Sequence, residues 1–267
     1  MHFHKQLAVL AAPGPDGILE PPLWQHPRIA QMMRTIRIRD TSTPRQELPL
    51  LLEHLRTMVA AARTDATTWR QRLHERRDSA LLIVGWVAAL RRSEIIGLCV
   101  NDVTLGPSGW TVRIGRSKTD REGKGTFKAL PTASNIDSCA PCAYLRWREC
   151  LKAFDNQGRP GLIRLLAKNN TLTTHMCGHA PAGRPPEGDL FRSILRGCDL
   201  GGTAPQGQLV HRVVRRRLHP VAASLHCDTT SFGAHSLRAG FVTEALRHGA
   251  SPEKHHPPDR AKVLRLA

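Results

Sequence analysis

The chain has 267 residues, with 39 Lys and Arg against 22 Asp and Glu, a net charge of +17 and a pI near 10.7. That excess favours an anionic partner, nucleic acid first, while an aromatic content of 4% argues against a platform that stacks single-stranded bases. Seven scattered cysteines fit reduced thiols in the cytoplasm, and the longest apolar run, Ala80 to Leu90, is too short to cross a bilayer, so no membrane role is expected.

Residues 1–25 are rich in Pro and Gly and are expected to form a disordered tail. His26 to Ile38 has the pattern of one basic helix, followed by a linker from Arg39 to Leu48 that contains Pro44. Pro49 to Ala62 predicts a helix with Leu51, Leu52, Leu55 and Val59 at core spacing. Trp69 to Leu90 predicts a second helix, amphipathic at Leu73 and wholly buried from Ala80 onward. Arg91 falls where that helix ends. Ser93 is expected to cap a short helix through Leu98.

The period then changes. Asp102 to Leu105, Gly109 to Arg116 and Gly125 to Leu130 read as strands, joined by turns at 106–109 and 119–124. Trp110, Val112 and Ile114 alternate, so one face is buried, and Lys118 shares their parity. Cys142 to Phe154 reads as a helix and 155–188 as an irregular insertion. Gln208 to Leu225 predicts a helix with Val210, Val213, Val214 and Leu218 inward. Its outer face carries Arg212, Arg215 and Arg216, which suits a phosphate backbone. The expected fold class is mainly α with a small antiparallel β-sheet.

Within Phe232 to Phe241, His235 and Arg238 are three residues apart, one turn on a helix. Leu237, Phe241 and Ala245 would pack that helix to a core, with Gly249 as its C-cap. Upstream stand Leu90-Arg-Arg-Ser-Glu94 and Arg116-Ser-Lys-Thr-Asp120. Together these motifs resemble the active-site boxes of the tyrosine recombinases, the phage-integrase family of site-specific DNA recombinases. The similar region runs from about His26 to Ala250.

The resemblance implies the tyrosine-recombinase catalytic-domain fold over 49–250. Residues 26–48 would then be a remnant helix and linker of a DNA-clamping domain, and 251–267 an aberrant tail, the family pattern being truncated at both ends. It implies DNA integration or recombination, as on phages and mobile elements, by strand transesterification on double-stranded DNA. Expected partners are that duplex and either further copies of this chain or a full-length recombinase. Charge builds on phosphate oxygens in such a transition state, and arginine forks suit it because they stay protonated and donate two parallel hydrogen bonds. By resemblance Arg91 and Arg238 hold the phosphate and Lys118 protonates the leaving oxygen. His235 serves as acid, base or nucleophile-holding group, and Glu94 orients Arg91. Arg92 is the competing choice for Arg91. Arg116, Arg212, Arg215 and Arg216 are the expected DNA contacts.

The family's nucleophilic tyrosine, about thirty residues after the second arginine, has no counterpart here. The one tyrosine is Tyr144, far upstream. The expectation is therefore a recombinase-like protein incomplete on its own. The alternatives are a non-catalytic DNA-binding protein occupying recombination sites, or a zinc-stabilised basic module. Cys139-Ala-Pro-Cys142 has the form of half a zinc site, but His175-Met-Cys-Gly-His179 lacks usual finger spacing. The plain reading of those segments is a helix start and a loop, so no metal and no cofactor are expected.

Overall fold

The computed structural model describes Gln31 and residues 47–115, 125–168, 173–179, 181, 183, 185–202 and 205–250. The chain divides into two units, 1–46 and 47–267. In the first unit the described residue is Gln31, which is helical and exposed. The tail at 1–25, the helix from His26, the end segment 251–267, and both Arg116 and Lys118 lie outside the described residues.

The second unit is mainly helical with one three-stranded antiparallel sheet, in the order β1(Val103–Gly106), β2(Gly109–Ile114), β3(Thr126–Ala129). Its helices are α1(Leu52–Thr64), α2(Trp69–Val87), α3(Arg92–Ile96), α4(Ala140–Ala167), α5(Gln208–Leu218) and α6(Ser236–Arg247). Helix α2 is the axis, packed against α1, α4, α5 and α6. It starts at a capping box. The Thr68 hydroxyl accepts from Gln71 N–H at 3.3 Å, and the Gln71 side-chain oxygen accepts from Thr68 N–H at 2.9 Å.

From Glu75 to Val87 every residue of α2 is buried. The apolar half, Ala80 onward, follows the sequence expectation. The polar half does not look like a buried segment, yet each charge is matched. Glu75 accepts two hydrogen bonds from Arg146 on α4, at 3.0 and 3.2 Å, and one from Ser79 at 2.9 Å. Asp78 accepts from Arg77 at 3.0 Å and from Arg216 and Arg217 on α5 at 2.5 and 2.8 Å. Buried ions persist only with such partners.

Beside Asp78, burial and then the charge of Arg77 lower the His74 imidazole to about 4. The folded value lies below the ordinary value near 6.5, so neutral His74 stabilises the fold above that pH. As pH falls from about 6.5 to about 4, the unfolded state binds a proton the folded state refuses, and stability is lost. Discounted for solvent screening, the loss is about 1–2 kcal/mol. Urea denaturation at pH 7 and pH 5 should show it, and His74→Gln should flatten the difference.

Helix α2 closes with Ala88 and Ala89. Ala89 N–H donates to the Trp86 carbonyl and Leu90 N–H to the Gly85 carbonyl, both at 2.9 Å. This Schellman pattern places Ala89 at φ +49, where a non-glycine residue costs roughly 1–2 kcal/mol. Arg91, not Ser93, then caps α3, because Glu94 at the third helical position accepts from the Arg91 N–H at 2.8 Å.

In the sheet, Trp110, Val112 and Ile114 are buried while Arg113 is exposed, as their alternation predicts. Val112 pairs with Lys128 and Ile114 with Thr126. Helix α4 runs on through Ala167, past the expected stop at Phe154, so the first part of the expected insertion is helical. Gly158, at φ 59 and ψ −152, and Pro160 break the regular backbone there. Leu162 and Leu166 then return to the core, which pulls the helix onward. Helix α5 stops at Leu218 rather than Leu225, because His219-Pro220 turns into a 3-10 segment. Helix α6 ends in a second Schellman pattern with Gly249 at φ +80. Among the described residues no helix is long and apolar enough to cross a membrane.

Candidate functional site

The site forms where α2 ends. Gly85, Ala88 and Ala89 give α2 a narrow end, and the left-handed turn at Ala89 throws the chain sideways into Leu90 and Arg91. The Ala88 and Ala89 carbonyls are left without helical partners, as at any helix C-terminus. Two cations from distant segments answer them. Arg238 on α6 donates from its guanidinium to the Ala89 carbonyl at 2.9 Å. Lys128 on β3 donates from Nζ to the Ala88 carbonyl at 2.8 Å and to that of Ala89 at 3.4 Å.

Arg91 completes the group. Its guanidinium donates to Glu94 Oε1 at 2.8 Å while its N–H holds Oε2, so one carboxylate fixes both the backbone and the side chain of the same residue. The Arg91 side chain keeps 39% of its surface open, and Glu94 only 7%. Burial pushes the Glu94 carboxyl up. The two hydrogen bonds from Arg91, with the charges of Lys128 and Arg91, outweigh this and hold it below the usual carboxylate range. Glu94 therefore stays ionised.

Burial lowers the Arg238 guanidinium from its ordinary value, and the like charge of Arg91 lowers it further. The two arginines, far apart in sequence, thus share one electrostatic neighbourhood. Arg238 nevertheless stays protonated at any physiological pH. Three cations against one carboxylate leave a net positive locus, shaped for an anion with several oxygen acceptors. Arg92 takes no part. Its side chain is exposed and extends toward Gly207, before α5.

His235 is exposed at the N-cap of α6, with helical backbone angles (φ −77, ψ −24), so Arg238 follows it by one turn as the spacing implies. Its N–H donates to Glu47 Oε2 at 2.6 Å. The other Glu47 oxygen lies 3.6 Å from His211 Nδ1 on α5. Inward residues Leu237 and Phe241 seat the helix, with Ala245 partly buried behind them.

The outer arginines of α5 divide. Arg212 is exposed. Arg215 does not face freely outward: it donates to the carbonyls of Phe232 and Thr230 at 3.1 and 2.8 Å, tying α5 to the segment before His235. Arg216 binds Asp78 while keeping about half its side chain exposed. Arg217, passed over in the sequence reading, is the more buried of the two on Asp78.

Sequence reasoning also missed Lys128. Its signal was parity: Lys128 shares a face with Leu130, which is fully buried, so it had to point inward. Tyr144 belongs to the core. It is 3% exposed, donates its hydroxyl to the Val100 carbonyl at 3.3 Å and meets Trp110 edge-on. Burial pushes its phenol up to about 12. A phenol so placed is a poor nucleophile.

No family model matches the chain. Over 216 residues, 81% of its length, it is 27% identical to a protein of Selenomonas ruminantium described as an integrase/recombinase xerD homolog. The aligned stretch is 51% of that relative, so the chain spans about half the length of the protein it matches. This distant similarity supports a recombinase-like relationship.

Proposed function

We propose that residues 49–250 form a tyrosine-recombinase-like catalytic domain that binds double-stranded DNA and grips one backbone phosphate for strand transesterification. The observation that carries this is the convergence of Arg91 and Arg238 on the turn at Ala89, with Glu94 orienting the first. Two fixed guanidinium forks beside a lysine match the oxygens of a phosphodiester whose charge grows during attack. The recombinase similarity supports the same reading.

In this mechanism Arg91 and Arg238 bind the non-bridging oxygens. Each supplies about 3–4 kcal/mol of transition-state stabilisation. His235, on the open N-cap of α6, hydrogen-bonds the nucleophile or the phosphate and serves as acid or base. Lys118 protonates the leaving oxygen, and Lys128 adds fixed positive charge beneath the phosphate. Arg116 and Arg212 meet flanking phosphates, with the open side of Arg216 beside them, and Arg215 braces α5. The attacking tyrosine comes from outside these 267 residues, since Tyr144 is committed to the core.

The test is binding to a duplex of random sequence over a range of salt. Affinity should fall steeply as salt rises, and Arg91→Ala and Arg238→Ala should each reduce the slope by about 1. Equal slopes for all three proteins would remove the phosphate-gripping role. A second reading, a non-catalytic occupant of recombination sites, draws on the burial of Tyr144. A covalent adduct on a nicked recombination site, formed when an active recombinase with an intact tyrosine is added, would decide for the first reading if Arg238→Ala abolishes it.

A further inference from the structure

Four side chains away from the phosphate site converge without any role in it. They are Cys139 and Cys142, at the start of α4, and His175 and Cys177, in the loop that follows α4. Their ligand atoms all lie within 4.8 Å of one another. We propose that these residues form a structural Cys3His zinc site.

The edges of the cluster decide between zinc and other readings. A tetrahedral zinc with sulfur at about 2.3 Å and imidazole nitrogen at about 2.0–2.1 Å has S···S edges near 3.8 Å and S···N edges near 3.5 Å. Here Cys139 Sγ and Cys177 Sγ are 3.8 Å apart. His175 Nδ1 is 3.4 Å from Cys142 Sγ and 3.8 Å from Cys177 Sγ. A disulfide needs about 2.05 Å, so no pair in the cluster is bonded as it stands. Three thiols and one imidazole are a borderline-soft donor set that suits zinc over calcium or magnesium.

The surroundings are those of a ligated site. The unused ring nitrogen of His175, Nε2, is 3.3 Å from the Ser134 carbonyl. A hydrogen bond there places the proton on Nε2 and leaves Nδ1 free to bind metal. The Met176 N–H points at Cys142 Sγ at 3.3 Å, a donor suited to a metal-bound thiolate. Cys139 and Cys142 are fully buried, Cys177 is 8% exposed and His175 is exposed; the four protein ligands fill a tetrahedral shell and leave no open position for substrate. That makes the site structural.

The site also has something to hold. The Cys177 carbonyl accepts from Trp110 Nε1 on β2 at 3.0 Å. A metal at this point fastens the start of α4, the 173–179 loop and the strand leading toward Lys118 into one corner. The pattern is C-x2-C followed by H-x-C, and His179 stands outside it. The spacing departs from a zinc finger because the second half arrives on a loop after a long helix, not on a helix of its own.

The experiment uses the full chain, purified reduced and without a polyhistidine tag. We expect one zinc per chain by elemental analysis, and a strong visible spectrum of tetrahedral thiolate coordination after exchange with cobalt(II). Chelator should lower the melting temperature, and added zinc should restore it. Cys142→Ser with Cys177→Ser should lose the metal, while Cys227→Ser, outside the cluster, should keep it. His175→Cys preserves four ligands and should still bind one zinc, which separates loss of a ligand from failure to fold. Zinc-free protein whose melting is indifferent to added zinc would overturn the proposal. So would a thiol titration in denaturant that finds fewer than the seven free cysteines of the sequence, showing a disulfide instead. Retention of stoichiometric zinc by the double serine variant would overturn it equally.

Discussion

Replacing Asp78 with alanine is expected to cost about 3–5 kcal/mol, the usual loss when one partner of a buried ionic cluster is removed. Asp78 is fully buried and is the acceptor shared by Arg77, Arg216 and Arg217. Burial pushes its carboxyl up, but the charges of Arg77, Arg217 and Arg216 prevail and hold it below the usual range. Without it, three guanidiniums are left crowding one another, and α5 loses these ion pairs to α2. For a unit of this size, 4 kcal/mol corresponds to a fall in melting temperature of roughly 10 °C. The sign with pH follows. The folded value is depressed, so this stabilisation is complete above the ordinary carboxylate range near 4 and fades as pH falls through the folded value. Urea denaturation at pH 7 gives the measurement. A loss under about 1 kcal/mol would mean that the arginines find other partners and the cluster is not a tie.

Gly240→Ala should destabilise the fold by about 3 kcal/mol, although alanine is the better helix former by about 1 kcal/mol. Gly240 lies mid-way along α6, where an added Cβ would collide with the Leu50 carbonyl oxygen and stand 2.9 Å from Trp86 Nε1. That carbonyl accepts from Trp86 Nε1 at 2.7 Å, and Leu50 N–H donates to the Ser236 carbonyl at 3.0 Å. Backbone atoms cannot yield as a flexible side chain does, so α6 must shift and both hydrogen bonds loosen. Arg238 and His235 ride on the displaced helix, so the proposed duplex binding should weaken together with stability. A denaturation midpoint equal to that of the unaltered protein would refute the close crossing.

The sequence carried the helices and the sheet because their apolar positions repeat at 3.6 and 2 residues: Leu55 and Val59, Trp110 and Val112, Val210 and Val214. It carried Arg91, Glu94, His235 and Arg238 as a motif, through resemblance. It did not carry the buried polar half of α2. Glu75 and Asp78 look like solvent-facing residues until Arg146 and Arg217 arrive from elsewhere. Lys128 was hidden for a related reason. Its inward direction depends on strand register, and its partners are backbone carbonyls, which leave no trace in residue type. The extension of α4 past Gly158 and Pro160 was hidden by two residues that ordinarily end a helix. The cysteine and histidine ligands were visible as residues, but their convergence depends on a loop fold that spacing alone does not specify.

The path of α2 has a consequence for which changes in length the chain can accept. One end of this helix engages Arg146, Arg216 and Arg217, and the other delivers Arg91 through the turn at Ala89. Each residue of a helix advances the chain by about 1.5 Å and rotates it by about 100°. Inserting or deleting one residue between Asp78 and Gly85 would leave composition and hydrophobicity almost untouched. It would nevertheless swing Arg91 and the Ala88 and Ala89 carbonyls to a different side of the bundle, away from Lys128 and Arg238. A conservative substitution in this stretch is therefore a local packing change, while gain or loss of a single residue relocates the whole site. The segment acts as a ruler whose length in residues fixes where Arg91 lands.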